Sequence, residues 1–285
     1  MLIKENEPLA MYTTFKMGGN VKKMYFPESV SELQSLITEK PDLTKYIIGG
    51  GSNLLINDCK EFGEVLCVRN FNNDIKHIKD GKYYIGASVR LQKAIKTINN
   101  EGYGGIEYLF SVPGLIGGAI YMNAGRGKKH KQCISDYIIS VDVLIDGILN
   151  TVPREEGTFS YRNSSFQTMK NCIIIGALFE FPSMSKSECD NRIKERLDLC
   201  KEKQDMSAPN FGTVFCESNK YIMSLVKLLH IGKRNGCHFS DKTKNWMLHG
   251  PQGSFKEAIS LLENIKKVHR LLGQKCRAEV RVWID

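Results

Sequence analysis

Five short stretches combine residue types and spacings that could do chemistry. In Tyr46-Ile-Ile-Gly-Gly-Gly-Ser-Asn-Leu54, Gly49, Gly50 and Gly51 follow a strand-like run. They permit a turn whose N–H groups point inward, a nest suited to a pyrophosphate, with Ser52 and Asn53 as added donors. Neither GxGxxG nor Gly-Lys-Ser/Thr is present there, so Rossmann and Walker A readings fail, and an ordinary glycine turn explains the stretch equally well. Between Gly104 and Gly125, glycines crowd an otherwise apolar segment. Gly114, Gly117 and Gly118 would let backbone approach a flat or extended ligand, with a close-packed bend as the alternative. In Phe159-Ser-Tyr-Arg-Asn-Ser-Ser-Phe166, Arg162 flanked by aromatics suits bidentate recognition of carboxylate or phosphate, although a surface arginine on a turn is the simpler reading. Pro209-Asn-Phe-Gly-Thr-Val-Phe215 presents the Thr213 hydroxyl beside a glycine. In Ala278-Glu-Val-Arg-Val-Trp283, strand alternation puts Glu279 and Arg281 on one face, where an ion pair suffices.

The elements that must position these residues are readable in outline. Ser29 and Glu32 form a capping box opening a helix with Leu33, Leu36 and Ile37 inward. Strands are expected at Lys45–Ile48, Val65–Val68, Tyr83–Ala87, Ile138–Ile145 and Cys172–Phe181. A helix over Leu91–Glu101 ends at Gly102, a natural residue to follow a helix. After Pro182 the chain turns to longer, more charged helices. Asp190 or Asn191 is expected to cap one whose inner stripe is Ile193, Leu197 and Cys200. Another spans Tyr221–Leu229. A second capping box, Ser254 to Glu257, opens a helix with Ala258, Leu261, Leu262, Ile265, Val268 and Leu272 inward. Ala278–Ile284 reads as a final strand.

Composition bounds the function classes. With 285 residues, 42% of them hydrophobic and 25% charged, the chain is an ordinary globular one of about two domains. No apolar run approaches the roughly 18 residues of a membrane span, and the N-terminus lacks the apolar core of a signal peptide. A soluble, cytoplasmic protein is expected, with no membrane partner. The formal net charge is +9, and +7 of it falls in residues 186–285. That excess suits a solvated surface or an anionic small ligand. Nucleic acid is not expected, because no run of five basic residues and no aromatic–basic repeat occurs. Nine cysteines without a CxxC pair and six scattered histidines give no metal-ligand spacing, so no metal is expected. The thiols read as reduced, buried small hydrophobes.

Taken in order, the five stretches, together with Tyr12-Thr-Thr-Phe-Lys-Met-Gly-Gly19, resemble the UDP-N-acetylenolpyruvoylglucosamine reductase (MurB) family over nearly the whole chain. The resemblance implies an α+β fold: an FAD-binding domain of the vanillyl-alcohol-oxidase type over 1–185, in two subdomains of roughly 1–70 and 71–185. A smaller α/β substrate-binding domain over 186–275 follows, and then a final strand, 276–285, that packs back on the FAD domain. It implies FAD as cofactor, NADPH as reductant and a UDP-sugar as small-molecule substrate of a monomeric enzyme. Gly49, Gly50, Gly51, Ser52, Asn53 and Leu54 would cradle the FAD pyrophosphate. Ser111, Val112, Pro113, Gly114, Gly117, Gly118, Asn123 and Gly125 would line the ribityl chain and flavin. Arg162 would stabilise charge developing on the substrate carboxylate, Thr213 would donate the proton, and Glu279 would orient Arg162 or share a proton with the enolate.

Three departures accompany the resemblance. Thr213 stands where the family has serine or cysteine, adding a methyl group and a stiff χ1. Val214-Phe-Cys-Glu-Ser218 replaces Val-Phe-Lys-Asn-Pro, and Glu217 would repel a diphosphate. Asn123-Ala-Gly-Arg-Gly-Lys128 replaces Asn-Ala-Gly-Ala-Tyr-Gly. Two alternatives therefore stand beside the family reaction: a paralogue reducing another anionic unsaturated substrate, and a flavin-binding protein without turnover. Lys201, Lys203, Lys220, Lys233 and Arg234 are candidates for replacing the lost contacts to UDP.

Overall fold

The structure, a computed structural model, describes residues 1–284, without the side chains of Lys128 and Lys129; Asp285, the last residue of the expected final strand, lies outside the described residues. In chain order the main strands are β1 (Leu2–Pro8), β2 (Asn20–Phe26), β3 (Ile47–Ile48), β4 (Leu54–Ile56), β5 (Phe62–Cys67), β6 (Ile75–Lys79), β7 (Lys82–Gly86), β8 (Ile138–Ile145), β9 (Ile148–Pro153), β10 (Cys172–Glu180), β11 (Asn210–Thr213), β12 (Phe215–Glu217), β13 (Cys237–Phe239), β14 (Trp246–His249), β15 (Arg277–Ala278) and β16 (Arg281–Trp283). The main helices are α1 (Val30–Glu39), α2 (Leu91–Asn100), α3 (Ile116–Tyr121), α4 (Lys186–Lys203), α5 (Lys220–Leu228) and α6 (Phe255–Leu271). Among the described residues no helix is long and apolar enough to cross a membrane.

The chain divides into two compact units, and it does not divide at residue 185. The first holds Met1–Lys4, Met24–Gly50 and Glu64–Cys200; the second holds Glu5–Lys23, Gly51–Gly63 and Lys201–Asp285. Composition shifts at 185, but packing carries the chain further. Burial of Cys189 on α4, whose thiol meets the Tyr103 carbonyl at 3.8 Å, keeps that helix with the first unit. The expected 1–185 domain is likewise interrupted, because residues 5–23 and 51–63 pack with the C-terminal part.

The first unit is built on a five-stranded antiparallel sheet, β9-β8-β10-β7-β6. Its core unites Leu33, Leu36 and Ile37 of α1 with Leu91, Ile95 and Ile98 of α2 and Val143, Ile175 and Phe179 of the sheet. Both capping expectations hold at their serines: Ser29 Oγ accepts from Glu32 N at 3.1 Å, and Ser254 Oγ from Glu257 N at 3.3 Å. The expected cap at Asp190 does not, because Ser185 lies earlier and accepts from Glu188 N at 3.2 Å. Asp190 instead meets Lys186 at 3.1 Å, and Leu197 faces outward. The expected strand at Lys45 shrinks to β3, since Pro41–Lys45 closes as a 3-10 helix.

The second unit carries a three-stranded sheet, β11-β14-β13, the antiparallel pair β12–β15 and the parallel pair β4–β16. Its core gathers Phe15, Met17, Leu55, Phe211, Phe215, Met247 and Leu262. On α6, Ala258, Leu262 and Ile265 face inward as expected, whereas Val268 and Leu272 are exposed. Ala278–Ile284 is not one strand: β15 pairs with β12 and β16 pairs with β4, so Glu279–Val280 links two different partners. Gly51 adopts φ +68°, and a Cβ there would lie 1.9 Å from the Tyr12 carbonyl oxygen. Gly51→Ala is therefore expected to destabilise the protein by more than about 1 kcal/mol, read as a fall in melting temperature; an unchanged melting curve would contradict this packing.

Candidate active site

In the first unit the two glycine segments meet. A Cβ on Gly50 would lie 3.0 Å from Gly114 Cα, a contact tight enough to exclude most side chains. Arg69 Nε donates to Gly49 O at 2.7 Å and holds the turn from behind. The Ser111–Gly114 loop is fixed by Gln92 Nε2, which donates to the carbonyls of Phe110 (2.9 Å) and Val112 (2.8 Å), and by Leu91 N, which donates to Gly114 O at 3.1 Å. Ser111 Oγ accepts from Arg196 Nε at 2.8 Å, a cation from α4 that nothing in the local sequence announces. Gly117 donates to Ala87 O at 2.9 Å, and a Cβ there would meet Ala87 Cβ at 2.9 Å, so its glycine serves close packing of α3. Gly118 differs: it is exposed, with nothing within 4 Å of a built Cβ. Pro113 is exposed as well, and Val112 half-buried.

Arg162 sits in the two-residue turn between Phe159–Ser160 and Asn163–Ser164, which pair antiparallel. Its φ is +54°, a left-handed conformation uncommon outside glycine and of the kind that collects at functional sites. Nη2 donates to Gly125 O at 2.6 Å and Nη1 to Asn123 O at 3.4 Å, while the guanidinium lies 5.3 Å from the Tyr161 ring centre. Ser164 Oγ and Gln167 Nε2 both donate to Tyr121 O, at 2.8 and 2.7 Å, tying this hairpin to α3. The structure thus brings Arg162, Asn123 and Gly125 together. Asn123 is buried, its Nδ2 donates to Ser160 O at 2.9 Å, and its Oδ1 accepts from Ser135 N at 3.4 Å. Those bonds give it the task of holding the arginine turn.

In the second unit Thr213 ends β11, half-buried, just after Gly212 at φ +76°. Val214 O accepts from Glu279 N at 2.8 Å, which sets the carboxylate-bearing residue beside the threonine's chain. Asn53 joins them, with Nδ2 donating to Glu279 O at 3.0 Å and its own carbonyl accepting from Arg281 N at 3.0 Å. Leu54 stands opposite Arg281 in the β4–β16 pair, and Ser52 is half-buried. The break at Glu279–Val280 removes the alternation on which a shared face for Glu279 and Arg281 rested. The Thr14 amide donates to Gly51 O at 3.0 Å and its hydroxyl to Asn210 O at 2.7 Å, so the Tyr12–Gly19 stretch braces both the glycine turn and β11. Arg162 belongs to the first unit, and Thr213 and Glu279 to the second.

Among the described residues, none of the backbone N–H groups of Gly49, Gly50, Gly51, Ser52 and Asn53 donates to a backbone carbonyl. Consecutive amides without main-chain acceptors suit an anion, and the Gly114–Gly118 segment offers open surface at Gly118. Within the first unit, the amides of Gly49 and Gly50 and the open surface at Gly118 fit the anionic and flat parts of a dinucleotide cofactor. Glu217 stands opposite Arg277 in the β12–β15 register. Burial pushes the neighbouring Cys216 thiol up, which leaves it protonated at neutral pH. Of the nine free cysteines only Cys67, Cys189 and Cys237 are fully buried.

Residues 21–147 match a family described as an FAD binding domain. The UDP-N-acetylenolpyruvoylglucosamine reductase of Thermotoga maritima is 29% identical over 282 residues, covering 97% of each chain. UDP-N-acetylenolpyruvoylglucosamine reductase 1 of Bacillus cereus is 32% identical over 267 residues, 92% of this chain and 87% of that one. The crystal structure of UDP-N-acetylenolpyruvylglucosamine reductase (MurB) from Thermus caldophilus has a TM-score of 0.78 over 99% of this chain and 100% of that one, at 23% identity, and so shares the α+β fold. The chain belongs to the UDP-N-acetylenolpyruvoylglucosamine reductase (MurB) family.

Proposed function

We propose that this protein reduces UDP-N-acetylglucosamine enolpyruvate to UDP-N-acetylmuramate, using FAD and NADPH, as a cytoplasmic step of cell-wall peptidoglycan synthesis. The observation that carries the reading is the run of amides from Gly49 to Asn53 without main-chain acceptors, in a chain whose full length matches reductases of this name. Gly49 to Leu54 hold the FAD pyrophosphate, and Ser111 to Gly118 face its ribityl chain and ring. Asn123 and Gly125 act one step removed, by holding Arg162.

FAD, when bound and reduced by NADPH, would supply hydride chemistry at the vinyl carbon remote from the substrate carboxylate. The negative charge left behind delocalises into that carboxylate. Arg162, already held in place by two carbonyls, meets this charge without reorganising, which is how a preorganised cation lowers a barrier. Thr213 Oγ1 delivers a proton to the carbon next to the carboxylate and is restored from solvent, while Glu279, whose main chain is held by Val214 O, orients Arg162 or shares a proton with the enolate. Threonine keeps the hydroxyl of the family's serine, and its stiff χ1 trades adaptability for a defined direction. Arg277 opposite Glu217 offsets the carboxylate that would otherwise oppose a diphosphate.

Purified protein is expected to show flavin absorbance, and a colourless, FAD-refractory preparation would sink the proposal. Gly118→Ala is expected to leave the cofactor-free protein as stable, or up to about 1 kcal/mol more so because alanine favours helix. It should nonetheless weaken FAD binding, titrated by flavin fluorescence; unchanged affinity would move the flavin elsewhere. For Thr213→Ala, stopped-flow flavin bleaching by NADPH should be unchanged. Reoxidation by the enolpyruvyl substrate should slow by about 10²–10⁴-fold, the usual worth of a general acid. Equal loss in both half-reactions would remove Thr213 from that role.

A further inference from the structure

Asn245 precedes β14 with φ +66° and makes three bonds to the segment after Thr213. Its carbonyl accepts from Val214 N at 2.9 Å, its Oδ1 accepts from Phe215 N at 3.0 Å, and its Nδ2 donates to Phe215 O at 2.7 Å. Regular pairing of β11 with β14 is lost nearby, with a register shift between Asn210 and Thr213. A single residue therefore replaces a sheet ladder where the chain carrying Thr213 leaves the sheet. Val214 is held on both sides, since its carbonyl accepts from Glu279 N at 2.8 Å. Phe215 is then anchored in the core, fully buried.

We infer that Asn245 is a positioning residue for proton delivery, setting the direction of Thr213 and, through Val214, the place of Glu279. The inference rests on the reading of Thr213 as the acid. A carboxamide presents a donor and an acceptor side by side at every pH, as the N–H and C=O of Phe215 require. Aspartate has the same shape but, ionised, offers only acceptors, so one oxygen would oppose the Phe215 carbonyl. Asparagine also tolerates the left-handed backbone better than most residues.

The test is Asn245→Asp in the FAD-loaded enzyme, measured by half-reaction. Flavin reduction by NADPH should stay within about twofold, while reoxidation by the enolpyruvyl substrate at neutral pH slows by about 10²-fold, the scale of a small misplacement of a reacting group. Reoxidation should recover as pH falls, unlike in the parent enzyme, because a protonated carboxyl again donates to Phe215 O. Combined with Thr213→Ala, the second change should add nothing. Hydrogen exchange of a peptide spanning 211–217 should speed up in the cofactor-free variant. Asn245→Gly keeps the backbone conformation and removes both side-chain bonds. It should give the same reoxidation defect, without the recovery at acid pH, should the aspartate variant fail to fold. Equal loss in both half-reactions, or losses that multiply in the double variant, would overturn the inference. A normal Asn245→Asp beside a slow Thr213→Ala would overturn it alone, whereas a normal Thr213→Ala would remove the acid and this inference with it.

Discussion

A methyl group on Gly51 would stand 1.9 Å from the Tyr12 carbonyl oxygen, and one on Gly50 would stand 3.0 Å from Gly114 Cα. Main chain lying directly on main chain is the constraint from which the rest of the site follows. Where two backbones approach so closely, no side chain can fill the space above them, and their amides stay available to a ligand. The same rule at Gly117 lets α3 settle on Ala87. The settled helix presents the Tyr121 carbonyl to Ser164 and Gln167, and those bonds fix the turn that carries Arg162. The Arg162 guanidinium is thus located by a glycine more than forty residues earlier.

The second unit solves a different problem, that of fixing a hydroxyl at the frayed end of a strand. It does so with polar side chains that bond main chain: Thr14 to Asn210 and Asn53 to Glu279. Each costs side-chain freedom, and each satisfies a backbone group that a broken ladder would leave without its strand partner. Polar scaffolding of this kind explains how β11, only four residues long, is held in place.

Local signals survive well between sequence and structure. Ser29 and Ser254 cap the helices that their spacing announces, because a capping box is complete within one turn. Gly51 is conspicuous in sequence because only glycine fits its backbone conformation and close packing. Asn245 and Arg196 are not: each acts on a segment that only tertiary folding brings near, and neither sits in a periodic pattern. The partners of Asn123 are hidden for the same reason, since Ser135 and Ser160 are 12 and 37 residues away. The start of α4 shows the remaining weakness, where Ser185 wins over Asp190 simply by coming first.

The second unit draws on residues 5–23, 51–63 and 201–285. A ribosome makes the first two pieces long before the third. Translation at about 5–20 residues per second leaves them waiting on the order of ten seconds for the C-terminal part. During that interval Phe15, Met17 and Leu55, all fully buried in the finished protein, have no core to enter. The nascent chain accordingly carries these apolar side chains without their core until its last third emerges.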